Sequence, residues 1–237
     1  MTGAAVASGW GGGGQEHPFA CVTMFCMRVD HVSYAAEAGG LKATAARLSE
    51  LIGVAPVDGG VHPRFGTRNV IFPLAKDHYL EVVEVLDHPA SDKAPFGQAV
   101  RAASEAGGGW LGWVVAVDDI SAVEQRLGRE AVFGNRHRPD GTELKWRQVG
   151  IKGLMADPQV PYFIEWDDMT VHPSAGADTS VSIDHLEIAG DPKRVREWLG
   201  PDDTFDKGGI NFTFVAPHGT PGLLSVTFDT PSGKVTI

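Results

Sequence analysis

The sequence predicts an α+β protein built from repeated β-α-β-β segments, and three features point that way. Val29-Asp30-His31-Val32 returns as Ile183-Asp184-His185-Leu186, each placing a histidine inside a short apolar run. Tyr79-Leu80-Glu81 is echoed by Phe163-Ile164-Glu165, where a carboxylate interrupts a hydrophobic strand. Helical stretches stopped by glycine follow successive apolar strands.

The first segment opens with alternation over residues 29–36. Val29, His31, Ser33 and Ala35 share one face, and Asp30, Val32, Tyr34 and Ala36 the other. Residues 40–52 read as a helix, with Leu41, Ala45, Leu48 and Ile52 on one stripe and Gly53 as C-terminal cap. Strands follow over 67–74 and 79–86, with a further short one near 57–61. Asp92 is expected to cap a connecting helix that runs to Gly107-Gly108-Gly109. The second segment has a strand over 110–117 and a short helix opened by Ser121-Ala122-Val123-Glu124 and stopped at Gly128. The turn Pro139-Asp140-Gly141 then introduces strands over 144–149 and 162–166. After a linker at residues 171–176, the third segment begins at Ser182. Its helix is capped by Asp191, with Pro192 at the first position and Gly200 beyond the end, and strands over 211–216 and 223–229 close the chain.

Composition narrows the function classes. At 237 residues, 43% hydrophobic, the chain can bury a substantial core. A formal charge of −10 argues against a nucleic-acid surface. Cys21 and Cys26 are the sole cysteines, so neither a disulfide framework nor a paired-cysteine zinc site is expected, and a reducing, cytoplasmic setting is the default. No apolar run approaches the roughly 20 residues that span a bilayer. Residues 1–27, with Gly11-Gly12-Gly13-Gly14 and no basic leader, are expected to form a disordered extension, with Met24 and Met27 just ahead of the first strand. There is no phosphate-binding glycine loop, hence no expected nucleotide cofactor, and no nucleophile elbow.

In this order the motifs resemble the vicinal oxygen chelate superfamily, and within it the glyoxalase-like domain proteins. The residues that carry the resemblance are Asp30-His31-Val32, Gly66-Thr67-Arg68-Asn69 ahead of Tyr79-Leu80-Glu81, Phe163-Ile164-Glu165-Trp166, and His172-Pro173; they cover about residues 28–190. The resemblance implies βαβββ modules whose curled mixed sheets pair into a cup, with helices outside. Residues 28–176 then form a glyoxalase-like domain of two paired modules, and residues 177–237 a third, partial module. It implies a small-molecule ligand, with homodimers common among such folds. In metal-bearing members, first-strand histidines and last-strand glutamates ring one divalent ion. Imidazole and carboxylate donors suit Zn, Fe, Ni or Mn. The activity implied is that of a lyase, isomerase or dioxygenase on a carbonyl or vicinal-oxygen substrate. Some members instead sequester a drug without a metal, so the fold leaves the reaction open.

Carried over residue by residue, the metal ligands are His31, Glu81, Glu165 and His185. Glu81 or Glu165 is the proton-moving group. The set is incomplete in any adjacent pair: the second module has Gly112-Trp113-Val114 where a histidine belongs, and the third has Leu224-Ser225-Val226 where a glutamate belongs. His31, Glu81 and Glu165 form one triad if modules one and two pair; His31, Glu81 and His185 form another if one and three meet. The bland alternative is that the histidines bond nearby backbone and the glutamates pair with arginines. Thr67, Asn69, Trp113, Arg138, Trp146 and Gln148 are the expected ligand-contacting residues, with the Arg136-His137-Arg138 stretch read as a loop at the rim. For the tryptophans, core packing is the competing role. His62 and His172, in loops beside prolines, are weaker candidates for folding over the cup mouth.

Overall fold

Strand β1 (Met27–Ala35) and helix α1 (Gly40–Ile52) begin the part of the chain that the computed structural model describes: residues 27–200, 205–216 and 218–237. The extension expected over residues 1–27 therefore lies, except for Met27, outside the described residues. Helix α1 forms on the expected stripe. Leu41, Ala45, Leu48 and Ile52 are buried, and Gly53 takes the left-handed conformation while its amide returns to the Ser49 carbonyl. Strands β2 (Val57–His62), β3 (Thr67–Pro73) and β4 (Tyr79–Val85) complete a βαβββ module.

The connecting segment departs from expectation. It is two helices, α2 (Pro89–Lys93), capped by the His88 ring rather than by Asp92, and α3 (Pro95–Glu105). Ala94 between them is extended, because the residue before a proline is driven from the helical region. Strand β5 (Gly109–Val117), helix α4 (Ile120–Leu127), and strands β6 (Val132–His137), β7 (Glu143–Val149) and β8 (Tyr162–Trp166) repeat the module. Asp119, not Ser121, caps α4. The third unit comprises β9 (Ser182–Ala189), α5 (Pro192–Leu199), β10 (Phe205–Asp206), β11 (Asn211–Val215), β12 (Gly222–Thr230) and β13 (Gly233–Thr236).

One sheet of nine strands runs β10-β1-β4-β3-β2-β6-β7-β8-β5, and a β1–β5 pairing closes the strands from β1 round to β5 into a ring. Each module contributes its four strands in matching order. The first strand lies parallel to the last, and the modules join antiparallel at β1–β5 and β2–β6. A second sheet, β11-β9-β12-β13, packs against the outer side of β5. Two apolar clusters result. One lies outside the ring and joins α1, β1, β5, α5 and the second sheet; the other, with Val83, Val114, Trp146 and Ile164, lies inside.

Candidate active site

Alternation along the ring strands decides which side chains enter the cup. His31 and Ser33 point inward from β1, Tyr79 and Glu81 from β4, Thr67 and Asn69 from β3, His62 from β2, Arg136 from β6, Trp146 and Gln148 from β7, and Tyr162 and Trp166 from β8. With Phe65, Phe96, Ile151 and Ile164, many of these line a partly open pocket whose free space, counted together with the solvent at its mouth, is about 380 Å³.

Strand register corrects the matching of the two modules. His31 pairs with Tyr79 on the parallel neighbour, and Val114 pairs with Tyr162 in the same arrangement. The true counterpart of Tyr79-Leu80-Glu81 is thus Tyr162-Phe163-Ile164, one residue earlier than the sequence echo suggests. A slip of one residue sends a side chain to the opposite face of a sheet. Glu165 accordingly points out of the cup, where it accepts hydrogen bonds from Arg147 (2.6 Å) and the Ile120 amide (3.0 Å). Trp113 is also on the outer face. It is 1% exposed, packs against Phe212 at 5.4 Å, and donates to the Gln159 carbonyl. His185 sits on the second sheet, bonded to Thr213 at 2.8 Å. Arg138 donates to the Val171 carbonyl at 2.9 Å and holds the linker rather than lining the cavity.

The other sequence candidates converge on the cup. Glu81 is buried, accepting from Ser33 Oγ (2.8 Å) and Asn69 Nδ2 (2.7 Å). Burial pushes its pKa up, but His62, His31 and these two donors outweigh that and hold it below the ordinary range. His62 Nδ1 lies 2.9 Å from Thr67 Oγ1, and Nε2 lies 3.9 Å from Glu81. Burial lowers the His62 pKa to about 4, so the ring is neutral near pH 7. Trp146 donates to Gln148 Oε1 at 2.9 Å.

Asp30 was missed. Simple alternation puts it on the face opposite His31, but a bulge between Val29 and His31 in the β1–β5 pairing turns both side chains toward the cup. Asp30 is fully buried, and its carboxylate faces His31 Nδ1 (2.8 Å), His172 Nε2 (3.2 Å) and Trp166 Nε1 (3.3 Å). Burial alone would raise its pKa; the His172 and His31 contacts outweigh this and keep it far below the carboxylate range. An ionised carboxylate only accepts, so each facing ring nitrogen carries a hydrogen. The Ser174 amide donates to His172 Nδ1 at 3.2 Å, consistent with hydrogen on His172 Nε2. For neutral His31 the lone pair is then on Nε2, 3.4 Å from the Tyr162 hydroxyl. The His31 ring stacks on Tyr79 at 4.2 Å and 18°. Burial raises both tyrosine pKa values well above the usual, keeping their hydroxyls protonated. Arg136 lies not in the loop that the charged Arg136-His137-Arg138 stretch suggests but on β6, with its guanidinium buried in the cup.

The donor set does not fit a metal ring. The two positions equivalent to His31 and Glu81 in the second module are Val114 and Ile164, and Glu165 and His185 lie elsewhere. Among the described residues, no group of three or more His, Cys, Asp or Glu is placed to hold a metal ion.

Comparison with known proteins agrees with the architecture. A family model described as a glyoxalase-like domain matches residues 29–202. A hypothetical protein from Staphylococcus aureus superposes with a TM-score of 0.63 at 16% identity, covering 85% of this chain and 90% of its own. A methylmalonyl-CoA epimerase bound to methylmalonyl-CoA and NH4+ gives 0.43 at 17% identity, over 62% of this chain and 98% of the other. The Mycobacterium tuberculosis methylmalonyl-CoA epimerase gives 0.39 at 13% identity, over 58% and 85%. A search of curated protein sequences finds no match. With the model spanning most of the chain and the ring built from paired βαβββ modules, the protein belongs to the glyoxalase-like domain family.

Proposed function

We propose that this protein is a small-molecule lyase or isomerase that moves a proton beside a carbonyl group, with His31 as general base and no resident metal ion in that step. The observation that carries the reading is the Asp30–His31 pair. Asp30 engages Nδ1 at 2.8 Å, which leaves the basic Nε2 facing the pocket. Nε2 takes the hydrogen from the carbon next to the carbonyl, and the electron pair of that C–H bond moves onto the carbonyl oxygen. The Tyr162 hydroxyl, 3.4 Å from Nε2, is placed to hydrogen-bond that oxygen as it becomes negative. Returning the proton to carbon completes an isomerisation; expelling a neighbouring leaving group completes a lyase reaction.

Glu81 has a supporting part here. Its depressed pKa makes it a weak base, but its charge and that of Asp30 stabilise the imidazolium that His31 becomes. Asn69 and Ser33 hold Glu81 in place for this, and Thr67 orients His62 beside it.

The test is solvent deuterium incorporation, followed by proton NMR, for a panel of aldehydes, ketones and oxo acids with full-length protein stripped of metals. Exchange is expected without added metal, and His31→Gln is expected to slow it by about 10²-fold or more. Exchange that appears only when a transition metal is restored, or that survives His31→Gln, overturns the reading.

A further inference from the structure

We propose that Arg136 and Gln148 form a carboxylate subsite within the cup, so that the ligand is a small carboxylic acid with an apolar body. Three observations converge. Arg136 is 2% exposed, yet its Nε and Nη2 have no hydrogen-bond partner among the described residues. These two nitrogens form one edge of the guanidinium plane, whose parallel N–H groups match the two oxygens of a carboxylate. An unpaired buried cation is costly, and a bound anion removes that cost.

Gln148 supplies the second observation. Its Oε1 accepts from Trp146 Nε1 at 2.9 Å, which fixes the amide and leaves Nε2 buried as a donor with no acceptor. The carboxylates already in the cup do not meet this need: Glu81 is held by Ser33 and Asn69, and Asp30 by two histidines. The third observation is the setting. Phe65, Phe96, Trp146, Ile151 and Ile164 line the same pocket, so the walls beside the anion-binding edge are apolar and aromatic.

This assignment rests on the cup being the ligand site of the proposed reaction, and its test reads binding without turnover. Calorimetry would use metal-stripped full-length protein with isobutyrate, phenylacetate and 3-phenylpropionate, each beside its primary amide. At least one acid is expected to bind about tenfold more tightly than its amide. Arg136→Met is expected to erase that preference while leaving amide affinity within about threefold, and Gln148→Leu to weaken the acid several-fold. Because it removes an unpaired buried charge, Arg136→Met should fold with a thermal midpoint at or above that of the natural chain, whereas a purely structural arginine would lower it. Equal binding of acids and amides, no acid binding at about 10 mM, or an acid preference that persists in Arg136→Met overturns the subsite. Acid binding through Arg136 with no proton exchange refutes the reaction alone; proton exchange together with equal binding of acids and amides refutes the subsite alone.

Discussion

Asp30 shows how one buried charge organises a site. It orients His31 toward the cavity and ties His172, from the linker beyond β8, over the same carboxylate. Two other buried histidines, His62 and His78, make the fold sensitive to acid. Burial brings both His62 and His78 from the ordinary 6.5 to about 4. Between those values the unfolded chain binds protons that the folded chain refuses, so protons favour unfolding. Their contribution is complete above about pH 6.5, falls as the pH drops, and levels off below about 4. At ~1.4 kcal/mol per pH unit the span corresponds to about 3 kcal/mol for each histidine. Asp30 and Glu81, whose values lie below the ordinary carboxylate range, extend the loss in the same direction at lower pH. Urea unfolding from pH 7 to 4 should show this decline, and His78→Phe should flatten it. A stability that is constant or rises toward pH 4 would contradict the neutral state of these rings.

At the scale of the element, what the sequence revealed tracked how regular each element is. Helix α1 forms over the expected residues because its stripe is uninterrupted. Strands β3 and β4 follow their alternation, so Thr67, Asn69 and Glu81 were readable as inward-facing. Two irregularities hid the remainder of the cup. The bulge in β1 reverses the parity of Asp30, and the module echo is offset by one residue at β8, which exchanges Ile164 for Glu165 on the inner face. Strand β6 was hidden by its charges: Arg136-His137-Arg138 has the composition of a solvated loop, and burial of Arg136 depends on closure of the ring at Val61 and His137. The signal that could have shown it was Gly134. A Cβ there would lie 2.3 Å from the Trp146 indole, so glycine lets Trp146 lie across β6. Gly134→Ala should displace Trp146, break its bond to Gln148, and cost about 1–3 kcal/mol through overpacking. Denaturant melts and the tryptophan emission spectrum report both effects; an unchanged spectrum with full stability would show that the indole is not wedged there.

At the scale of the whole molecule, the third unit shares its core with the ring. The outer apolar cluster runs without a break from Trp113, Val115 and Phe163 to Leu186, Trp198 and Phe228. Polar ties cross the same boundary: Trp110 donates to the carbonyl of Ile237 at 2.9 Å, and Trp198 donates to the Pro161 carbonyl at 2.7 Å. The sequence shows this unit as an incomplete repeat, with Leu224-Ser225-Val226 where a glutamate belongs. Its buried side chains point to a structural role, covering the outer face of β5 so that the inner face can hold His31 opposite Val114. Each large apolar side chain uncovered costs about 1.5–3 kcal/mol, so removing residues 177–237 exposes more than a domain's typical 5–15 kcal/mol can bear. The shortened chain should unfold without a sharp transition, bind a hydrophobic dye, and lose its near-ultraviolet circular dichroism. If it instead melts cooperatively and still binds small carboxylic acids, the ring is self-sufficient and the third unit is dispensable.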